Sequence, residues 1–455
     1  MSAIKAPHQR ELFGHPIGLY VLFFTELWER FSYYGMRAIL VLFLVANVGD
    51  ENSGFGWTDK EALALYGTYT MLVYIASIPG GLLADRVFGQ KKAVLIGGIL
   101  LCIGHGILAV EALWAFYTGL GFIIAGVGML KPNISTMVGG LYKPGDDRRD
   151  KGFTIFYIGI NVGAFLSALI VGYVGEKIGW HYGFGLAGIG MVIGQLVYMW
   201  GQKFLVGVGD FIGKSETEDR EAFNRSLTKV EKDRMIVMFL SFILIIVFWG
   251  AFEQAGGLMN LYTNQKTDLS LGGFMVPASW FQSVNAFFII TLGAPIAAFW
   301  YNWKKKGNEG SSLFKMAIGV IIMGWGFLFM TKASTEVVMD GENVVEKSAM
   351  IWLILAYLFH TIGELCASPV ALSFITKLAP IKYASFMMGA YFAATGLGNK
   401  VAGLVGEAAA NAGEFEIFTG IAIFCTIIGG IVLLMLKPLK RLTHGAEDLV
   451  LESEH

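Results

Sequence analysis

The sequence predicts an all-α membrane protein whose twelve transmembrane helices form two six-helix bundles. Of its 455 residues, 55% are hydrophobic and 15% are charged, with a mean hydropathy of +0.60. Soluble proteins carry about 25% charged residues, so this composition indicates a chain surrounded mainly by lipid. Apolar runs long enough to cross a bilayer recur along the chain, and one long polar connection, residues 206–234, divides them into two sets of six.

Each predicted span holds the roughly 20 apolar residues that a helix needs to cross the hydrocarbon core. The first run is too long for a signal-peptide core and no small-residue cleavage site follows it, so we expect it to be retained. Prolines inside four spans are expected to mark kinks or local breaks. They are Pro79, Pro132, Pro295 and Pro369. The twelve predicted spans are 16–46, 58–84, 92–111, 114–141, 152–176, 182–205, 235–265, 276–303, 312–332, 348–378, 384–410 and 413–436.

The charge bias of the loops predicts the orientation. Of the 34 lysines and arginines, 25 lie in the connections on the side of the two termini, five lie in the opposite loops and four fall inside spans. Cytoplasmic loops carry such an excess, so both termini are expected to be cytoplasmic. The predicted organisation is an N-terminal bundle (1–205), a cytoplasmic linker (206–234), a C-terminal bundle (235–437) and a cytoplasmic tail (438–455). This plan matches major-facilitator transporters.

The first span carries four charges in "ELWERFSYYGMR", residues 26–37. At 100° per residue these charges and two tyrosines fall within an arc of roughly 140°. The stripe consists of Glu26, Glu29, Arg30, Tyr33, Tyr34 and Arg37. One charge at the bilayer centre costs about 2.5–3.5 kcal/mol, so four are tolerated only if they pair and face a watery cavity. A functional cluster is the default interpretation, and a purely structural ion-pair cluster is the alternative.

Three further charges interrupt other apolar runs near mid-membrane. They are Lys131 in the fourth span, Glu253 in the seventh and Glu364 in the tenth. From the predicted orientation, Arg37 and Glu253 share a level on the outer side of centre. Lys131 lies on the inner side and Glu364 lies near the middle. Opposite charges in opposite halves predict two gates, an outer Arg37–Glu253 pair and an inner Lys131–Glu364 pair.

Three motifs resemble the proton-dependent oligopeptide transporter family, a peptide transporter branch of the major facilitator superfamily, in its bacterial type. The first is the Glu-x-x-Glu-Arg-Phe-x-Tyr-Tyr pattern that starts at Glu26. The second is "GGLLADRVFGQKKAV", residues 80–94, and the third is "FYIGINVG", residues 156–163. The segments "FEQAGG" and "GELCASPVALS" extend the likeness into the second half of the chain.

This resemblance implies a proton-coupled symporter that imports di- and tripeptides across the bacterial cytoplasmic membrane by alternating access. Proton coupling is implied for Glu26, Glu29, Arg30 and Glu253. Peptide binding is implied for Arg37 and Lys131 at the carboxylate, Glu364 and Asn285 at the ammonium, Asn161 at the backbone, and Tyr33, Tyr34 and Tyr74 at the side chains. Gating is implied for Asp85 and Arg86 of a cytoplasmic loop and for the two charge pairs.

Two other hypotheses stay open at this stage. The same fold could carry another small amine-containing or anionic nutrient, although Glu364 favours a substrate with an amine. A channel or an intramembrane enzyme is a different class, but the sequence has no HExxH, GxSxG or Walker motif, so we expect no enzyme and no ATP drive.

The expected partners are peptides, protons and the lipid bilayer, with no obligate protein partner. The net charge of −1 gives no bulk attraction to nucleic acid, and three scattered cysteines predict neither a disulfide nor a metal site. We therefore expect no cofactor other than the coupling proton. The sequence also places Lys400 and Glu407 seven residues apart on the eleventh span, which predicts a local ion pair.

Overall fold

The computed structural model describes residues 10–143, 146, 148–210, 226–341, 343–380 and 383–446. The predicted linker and tail therefore lie partly outside the described residues. Within the described chain every predicted span is helical, and the short strands lie in the connections or ahead of the first helix.

The helices have the following bounds. Those in the first half of the chain are α1 (Ile17–Val45), α2 (Asp59–Ile75), α3 (Ser77–Leu83), α4 (Gln90–Leu108), α5 (Leu113–Gly140), α6 (Arg148–Lys177) and α7 (Trp180–Gly201). Those in the second half are α8 (Lys229–Phe252), α9 (Leu258–Lys266), α10 (Phe281–Lys305), α11 (Ser312–Ser334), α12 (Met350–Leu378), α13 (Ala384–Ala412), α14 (Glu414–Leu434) and α15 (Leu436–Thr443).

Ten helical segments among the described residues are long and apolar enough to cross a membrane. The prediction of an all-α multi-pass membrane protein is confirmed. The other two predicted spans correspond to α1 and α13, each a helix of 29 residues. Helix α1 differs from the ten because of its four charges, and α13 because alanine and glycine replace larger apolar residues along much of its length.

Two predicted spans are interrupted. The second span breaks between α2 and α3 at Ala76, and a π-helical turn, Ala84–Phe88, follows α3. Pro79 lacks the N–H that would bond the carbonyl of Ile75, which explains the break one turn earlier. The seventh span breaks after α8 into a 3₁₀ turn, Glu253–Ala255, and resumes as α9. Two consecutive glycines at this point disfavour a continuous helix.

The other three predicted proline sites lie inside uninterrupted helices. Pro132 is within α5, Pro295 within α10 and Pro369 within α12. The helices are therefore not broken at these three positions, and a kink at each proline stays a prediction. Prolines are tolerated in membrane helices where neighbouring groups satisfy the carbonyl that the missing N–H would have bonded.

The described chain divides into two compact units. Unit 1 comprises the described parts of residues 1–57, 72–215 and 277–286, and unit 2 those of residues 58–71, 216–276 and 287–455. Helices α2 and α10 each contribute residues to both units, whereas the predicted boundary between bundles runs through the linker alone. That six-plus-six boundary stays a prediction.

Helix α1 is the centre of unit 1 and packs against α6 and α7, while α4 packs against α5 and α7. Most α1 side chains are buried, including its four charged residues. Helix α3 approaches α5 through glycines. A Cβ at Gly80 would lie 2.0 Å from the carbonyl oxygen of Gly128, so only glycine permits this contact.

In unit 2, α11 packs against α12 and α14, and α13 packs against α8. Four two-stranded pairings join the loops of the described chain. Glu11–Leu12 (β1) pairs with His15–Pro16 (β2), Thr267–Asp268 (β3) with Ser348–Ala349 (β8), Ser270–Leu271 (β4) with Phe274–Met275 (β5), and Val338–Asp340 (β6) with Asn343–Glu346 (β7).

The hairpin ahead of α1 is fixed to the loop between α5 and α6 by Arg148. Its guanidinium donates to Glu11 Oε1 at 2.9 Å and to Asp146 Oδ2 at 2.9 Å. The hydrogen bonds from Arg148 lower the pKa of the Asp146 carboxyl to about 2. The N-terminal segment is thereby anchored before the first span begins.

The close contact at Gly80 between α3 and α5 predicts that a larger side chain there destabilises the protein. Gly80→Val places methyl groups against the backbone of Gly128, and we expect a loss of about 1–3 kcal/mol, the usual cost of overpacking. The midpoint of thermal unfolding of the detergent-purified protein measures it. Gly121→Val on α5 is the control, because nothing lies within 4 Å of a Cβ there. Equal midpoints for the two variants would contradict the close approach.

Candidate functional site

The charged stripe of α1 forms a compact ion cluster inside unit 1. Arg30 Nε lies 3.0 Å from Glu26 Oε1 and is also paired with Glu29 Oε2. Glu26 and Arg30 are 3% exposed and Glu29 is fully buried. The predicted pairing of these three residues is therefore found on one helix.

Two carboxylates share one guanidinium in this cluster. Glu26 Oε2 and Glu29 Oε1 have no hydrogen-bond partner among the described residues. A second cation, Lys131 of α5, acts electrostatically on both carboxylates. Buried charges are stable when paired, so these acids and bases stabilise one another in the interior of unit 1.

The tyrosines of the stripe lie beside its cations. The Arg37 guanidinium carbon is 4.8 Å from the centroid of the Tyr34 ring, and that of Arg30 is 5.7 Å from Tyr33 and 5.8 Å from Tyr34. A cation over an aromatic face is attracted by the ring quadrupole. Tyr34 is half-buried and Tyr33 is buried. The predicted single face of charges and tyrosines is confirmed.

Lys131 stands on α5 next to Pro132 and is half-buried. Its Nζ lies 3.9 Å from the centroid of the Tyr74 ring of α2. Two residues that the motifs assigned to the peptide site are therefore neighbours within unit 1. The Lys131 ammonium therefore lies against the face of the Tyr74 ring.

Asn161 and Asn285, the two predicted amide groups, also belong to unit 1. Asn161 is buried on α6 and donates from Nδ2 to the carbonyl of Tyr157 at 2.9 Å. Part of its predicted capacity to bond a peptide backbone is thus used within its own helix. Asn285 is half-buried on the first turns of α10.

The start of α10 is held against α6 by hydrogen bonds that the sequence did not indicate. Backbone N–H groups of Ala278 and Ser279 donate to the carboxylate of Glu176 at 2.9 and 2.8 Å. Trp280 Nε1 and Ser283 Oγ donate to α6 carbonyls at 2.9 Å each. A carboxylate at the first N–H groups of a helix satisfies donors that would otherwise be orphaned. These bonds fix the position of Asn285.

Glu253 lies in the 3₁₀ turn of unit 2 and is 3% exposed. The hydroxyl of Tyr66, which is 1% exposed, donates to Glu253 Oε2 at 2.7 Å. A Cβ on residue 256 would come within 2.0 Å of that hydroxyl, so Gly256 is required there. Nothing in the sequence singled out Tyr66, which is one of several tyrosines in the second span.

Glu364 is half-buried on α12 and one turn beyond His360. His360 itself is 1% exposed and packs against Phe327 of α11 with ring centroids 4.5 Å apart. The histidine is therefore a core residue between α11 and α12.

The predicted ion pair between Lys400 and Glu407 was wrong. Lys400 Nζ instead donates to Thr68 Oγ1 of α2 at 2.9 Å, inside unit 2. Seven residues place two side chains on one face but two turns apart, and a closer hydroxyl on a crossing helix captures the lysine.

Asp85 and Arg86 occupy the π-helical turn after α3, where both are exposed. Their gating role stays a prediction. The same holds for the two gate pairs, because Arg37 and Lys131 belong to unit 1 and Glu253 and Glu364 to unit 2.

Comparisons with known proteins decide the family. The sequence pattern of the POT family matches residues 91–215 and 211–419. The chain belongs to the POT family. The peptide transporter YePEPT of Yersinia enterocolitica is 34% identical to this chain, and the alignment covers 98% of this chain and 99% of the relative. The di-/tripeptide transporter of Lactococcus lactis subsp. cremoris is also 34% identical, and that alignment covers 95% of this chain and 98% of the relative.

The fold is that of a solved POT family transporter. A crystal structure of a POT family transporter in complex with a thioalcohol-conjugated peptide gives a TM-score of 0.86 at 31% identity. The match covers 95% of this chain and 98% of that chain. The major-facilitator fold and the family that the motifs resembled are confirmed. The site residues carried over from those motifs stay predictions.

The α1 cluster of this POT family member predicts a large effect of removing its cation. Arg30→Gln leaves two buried carboxylates without their ion-pair partner, and we expect a destabilisation of about 3–5 kcal/mol. Adding Glu26→Gln and Glu29→Gln to Arg30→Gln should recover most of the loss. Thermal unfolding in detergent measures both, with Lys60→Gln, which removes an exposed cation, as control. Equal losses for Arg30→Gln and the triple variant would show that charge is not the cause.

Proposed function

We propose that the protein imports di- and tripeptides together with protons by alternating access. The observation that carries this proposal is the buried ion cluster of Glu26, Glu29 and Arg30 in unit 1. Two cations suited to a carboxylate belong to the same unit, the buried Arg37 and the half-buried Lys131. Membership of the POT family supports the same substrate class, as do relatives that are named a peptide transporter and a di-/tripeptide transporter.

Charges of both signs fit a zwitterionic peptide. Arg37 and Lys131 would bind the carboxylate, and Glu364 with Asn285 would bind the ammonium. An extended residue spans about 3.3–3.6 Å, so a di- or tripeptide measures roughly 7–11 Å and fixed charges act as a length gauge. Asn161 offers an amide to the peptide backbone, whatever the flanking side chains are.

Three tyrosines would contact the variable side chains of the peptide. The rings of Tyr33, Tyr34 and Tyr74 are apolar bodies with polar tips, which suits side chains of different kinds. Tyr34 lies beside Arg37, and Tyr74 lies beside Lys131. The peptide carboxylate would therefore contact the cation, and a peptide side chain would contact the neighbouring ring.

We place the coupling proton on Glu253. The hydroxyl of Tyr66 can donate to a carboxylate and to the carbonyl oxygen of a protonated carboxyl, so Glu253 keeps its position in both states. The carboxylates of the α1 cluster are paired with Arg30, so their protonation would change when that ion pair rearranges. One proton moving inward yields about 2.3 kcal/mol per 100 mV, which is enough for useful accumulation.

The charge bias of the loops supports a bacterial inner-membrane protein with both termini in the cytoplasm. The proposed cycle uses protons as its coupling ion and no other cofactor. It makes and breaks no covalent bond, so we class the protein as a transporter and not as an enzyme. No obligate protein partner is required by this mechanism.

Uptake into proteoliposomes tests the proposal. Dialanine and trialanine should accumulate under an inward proton gradient, and unlabelled peptides of two or three residues should compete. A free amino acid and a tetrapeptide are the length controls. Uptake of an anionic nutrient that peptides do not inhibit would overturn the peptide assignment in favour of another substrate on the same fold.

Separate measurements of gradient-driven uptake and peptide exchange should identify the proton carrier. We expect Glu253→Gln to abolish gradient-driven uptake while exchange continues, since a fixed neutral group cannot release a proton. Glu364→Gln should weaken both modes because it removes the group proposed to bind the ammonium. The control is Glu407→Gln, a half-buried glutamate with no proposed role. If Glu26→Gln or Glu29→Gln alone separates the two modes, the proton site lies in the α1 cluster.

Tyr66→Phe should impair coupling without emptying the peptide site. The ionised form of Glu253 loses a charge-assisted hydrogen bond of about 1.5–3 kcal/mol, so proton release slows and gradient-driven uptake falls by about tenfold or more. Exchange should change little. Tyr262→Phe is the matched control, because this buried tyrosine of unit 2 donates to Ser348 Oγ instead. Equal effects of both substitutions on the two modes would point to a merely structural hydroxyl.

A further inference from the structure

A polar cavity lies in unit 2, and none of its lining residues is assigned to transport. Its volume is about 350 Å³, and it lies where the end of α10 and the start of α11 meet α12 and α15. Four lysines line it. They are Lys304, Lys315, Lys377 and Lys440.

One carboxylate, that of Glu309, faces these four ammonium groups among the lining residues. It accepts from Lys440 Nζ at 2.9 Å and from the backbone N–H of Ser311 at 2.8 Å. Its charge is therefore already matched by one lysine and a helix N-terminus. The cavity keeps an excess of positive charge, which only an anion would neutralise.

The beginning of α11 supplies a second, independent indication of a ligand. Ser311 is the N-cap of this 23-residue helix, yet its side chain makes no capping hydrogen bond. The residue is 8% exposed and lines the cavity. Its hydroxyl lies beside the Glu309 carboxylate but makes no hydrogen bond of regular geometry among the described residues. A buried hydroxyl at a helix N-terminus, with the positive end of the dipole behind it, is suited to a phosphate oxygen.

Aromatic residues place the cavity at the depth of lipid headgroups. Trp303 Nε1 donates to the carbonyl of Glu309 at 2.7 Å, and Lys315 Nζ lies 5.4 Å from the centroid of the Trp300 ring. Tryptophans concentrate at the membrane–water interface. Helix α15, which directly follows the last span, contributes Lys440 to the same level.

We propose that this cavity binds the phosphate headgroup of an anionic phospholipid of the surrounding leaflet. The lysines neutralise the phosphate, the Ser311 hydroxyl and the α11 N-terminus bond its oxygens, and the acyl chains extend along the apolar helices. Basic pockets between membrane helices are suited to such headgroups. The inference concerns lipid recognition and is independent of the proposed peptide transport.

Native mass spectrometry of the full-length protein tests the proposal. The detergent-purified protein is titrated with phosphatidylglycerol, with phosphatidylcholine as the zwitterionic lipid and with inorganic phosphate alone. We expect phosphatidylglycerol to bind at a saturable site and the double variant Lys304→Gln/Lys377→Gln to weaken that binding by about tenfold or more. Ser311→Ala should weaken it less, with the lysines intact.

Lys332→Gln/Lys347→Gln is the matched control, since it removes two lysines of unit 2 that do not line the cavity. This control variant should bind phosphatidylglycerol with the same affinity as the unmodified chain. Thermal unfolding of each variant without lipid establishes that it is folded. Equal phosphatidylglycerol binding by the two double variants would overturn the site. Saturation of the same lysines by inorganic phosphate, with no preference for the lipid, would overturn the assignment to a headgroup.

Discussion

The ion cluster on α1 is the constraint on which unit 1 depends. Arg30 and its two glutamates are almost fully removed from solvent. Exposing this charged face of α1 to lipid would cost several kcal/mol. Helix α1 must therefore be enclosed, and α6 and α7 pack against it. Within this enclosure Tyr33 and Tyr34 lie beside the cations, so one face of α1 carries both the ion cluster and the tyrosines.

Buried acids are held in two different ways in this protein. In unit 1 the carboxylates are held by a guanidinium on the same helix, whereas in unit 2 the hydroxyl of Tyr66 reaches Glu253 from another helix. A cation favours the ionised acid strongly, while a phenol supports both protonation states. The described chain therefore contains two kinds of buried acid, one held by a cation and one by a phenol.

Irregular helix geometry coincides with the predicted functional residues. The seventh span changes to a 3₁₀ turn at Glu253, and the second span breaks near Tyr74 and ends in a π-helical turn that contains Asp85 and Arg86. Sites where a sequence departs from the regular pattern are often sites of function. The uninterrupted helices around Pro132 and Pro369 show that proline alone does not cause such breaks.

The sequence by itself determined the fold class, the long apolar helices and the stripe on α1, because hydropathy and helical periodicity are properties of neighbouring residues. It also supplied the family, through motifs that stay contiguous along the chain. Only the tertiary structure decided which groups meet from distant segments. Tyr66 with Glu253, Glu176 with the start of α10, Lys400 with Thr68 and the lysine cavity beside Ser311 all join residues far apart in sequence. Such contacts depend on how helices cross, and a hydroxyl or carboxylate in an apolar run gives no signal of the partner it will find.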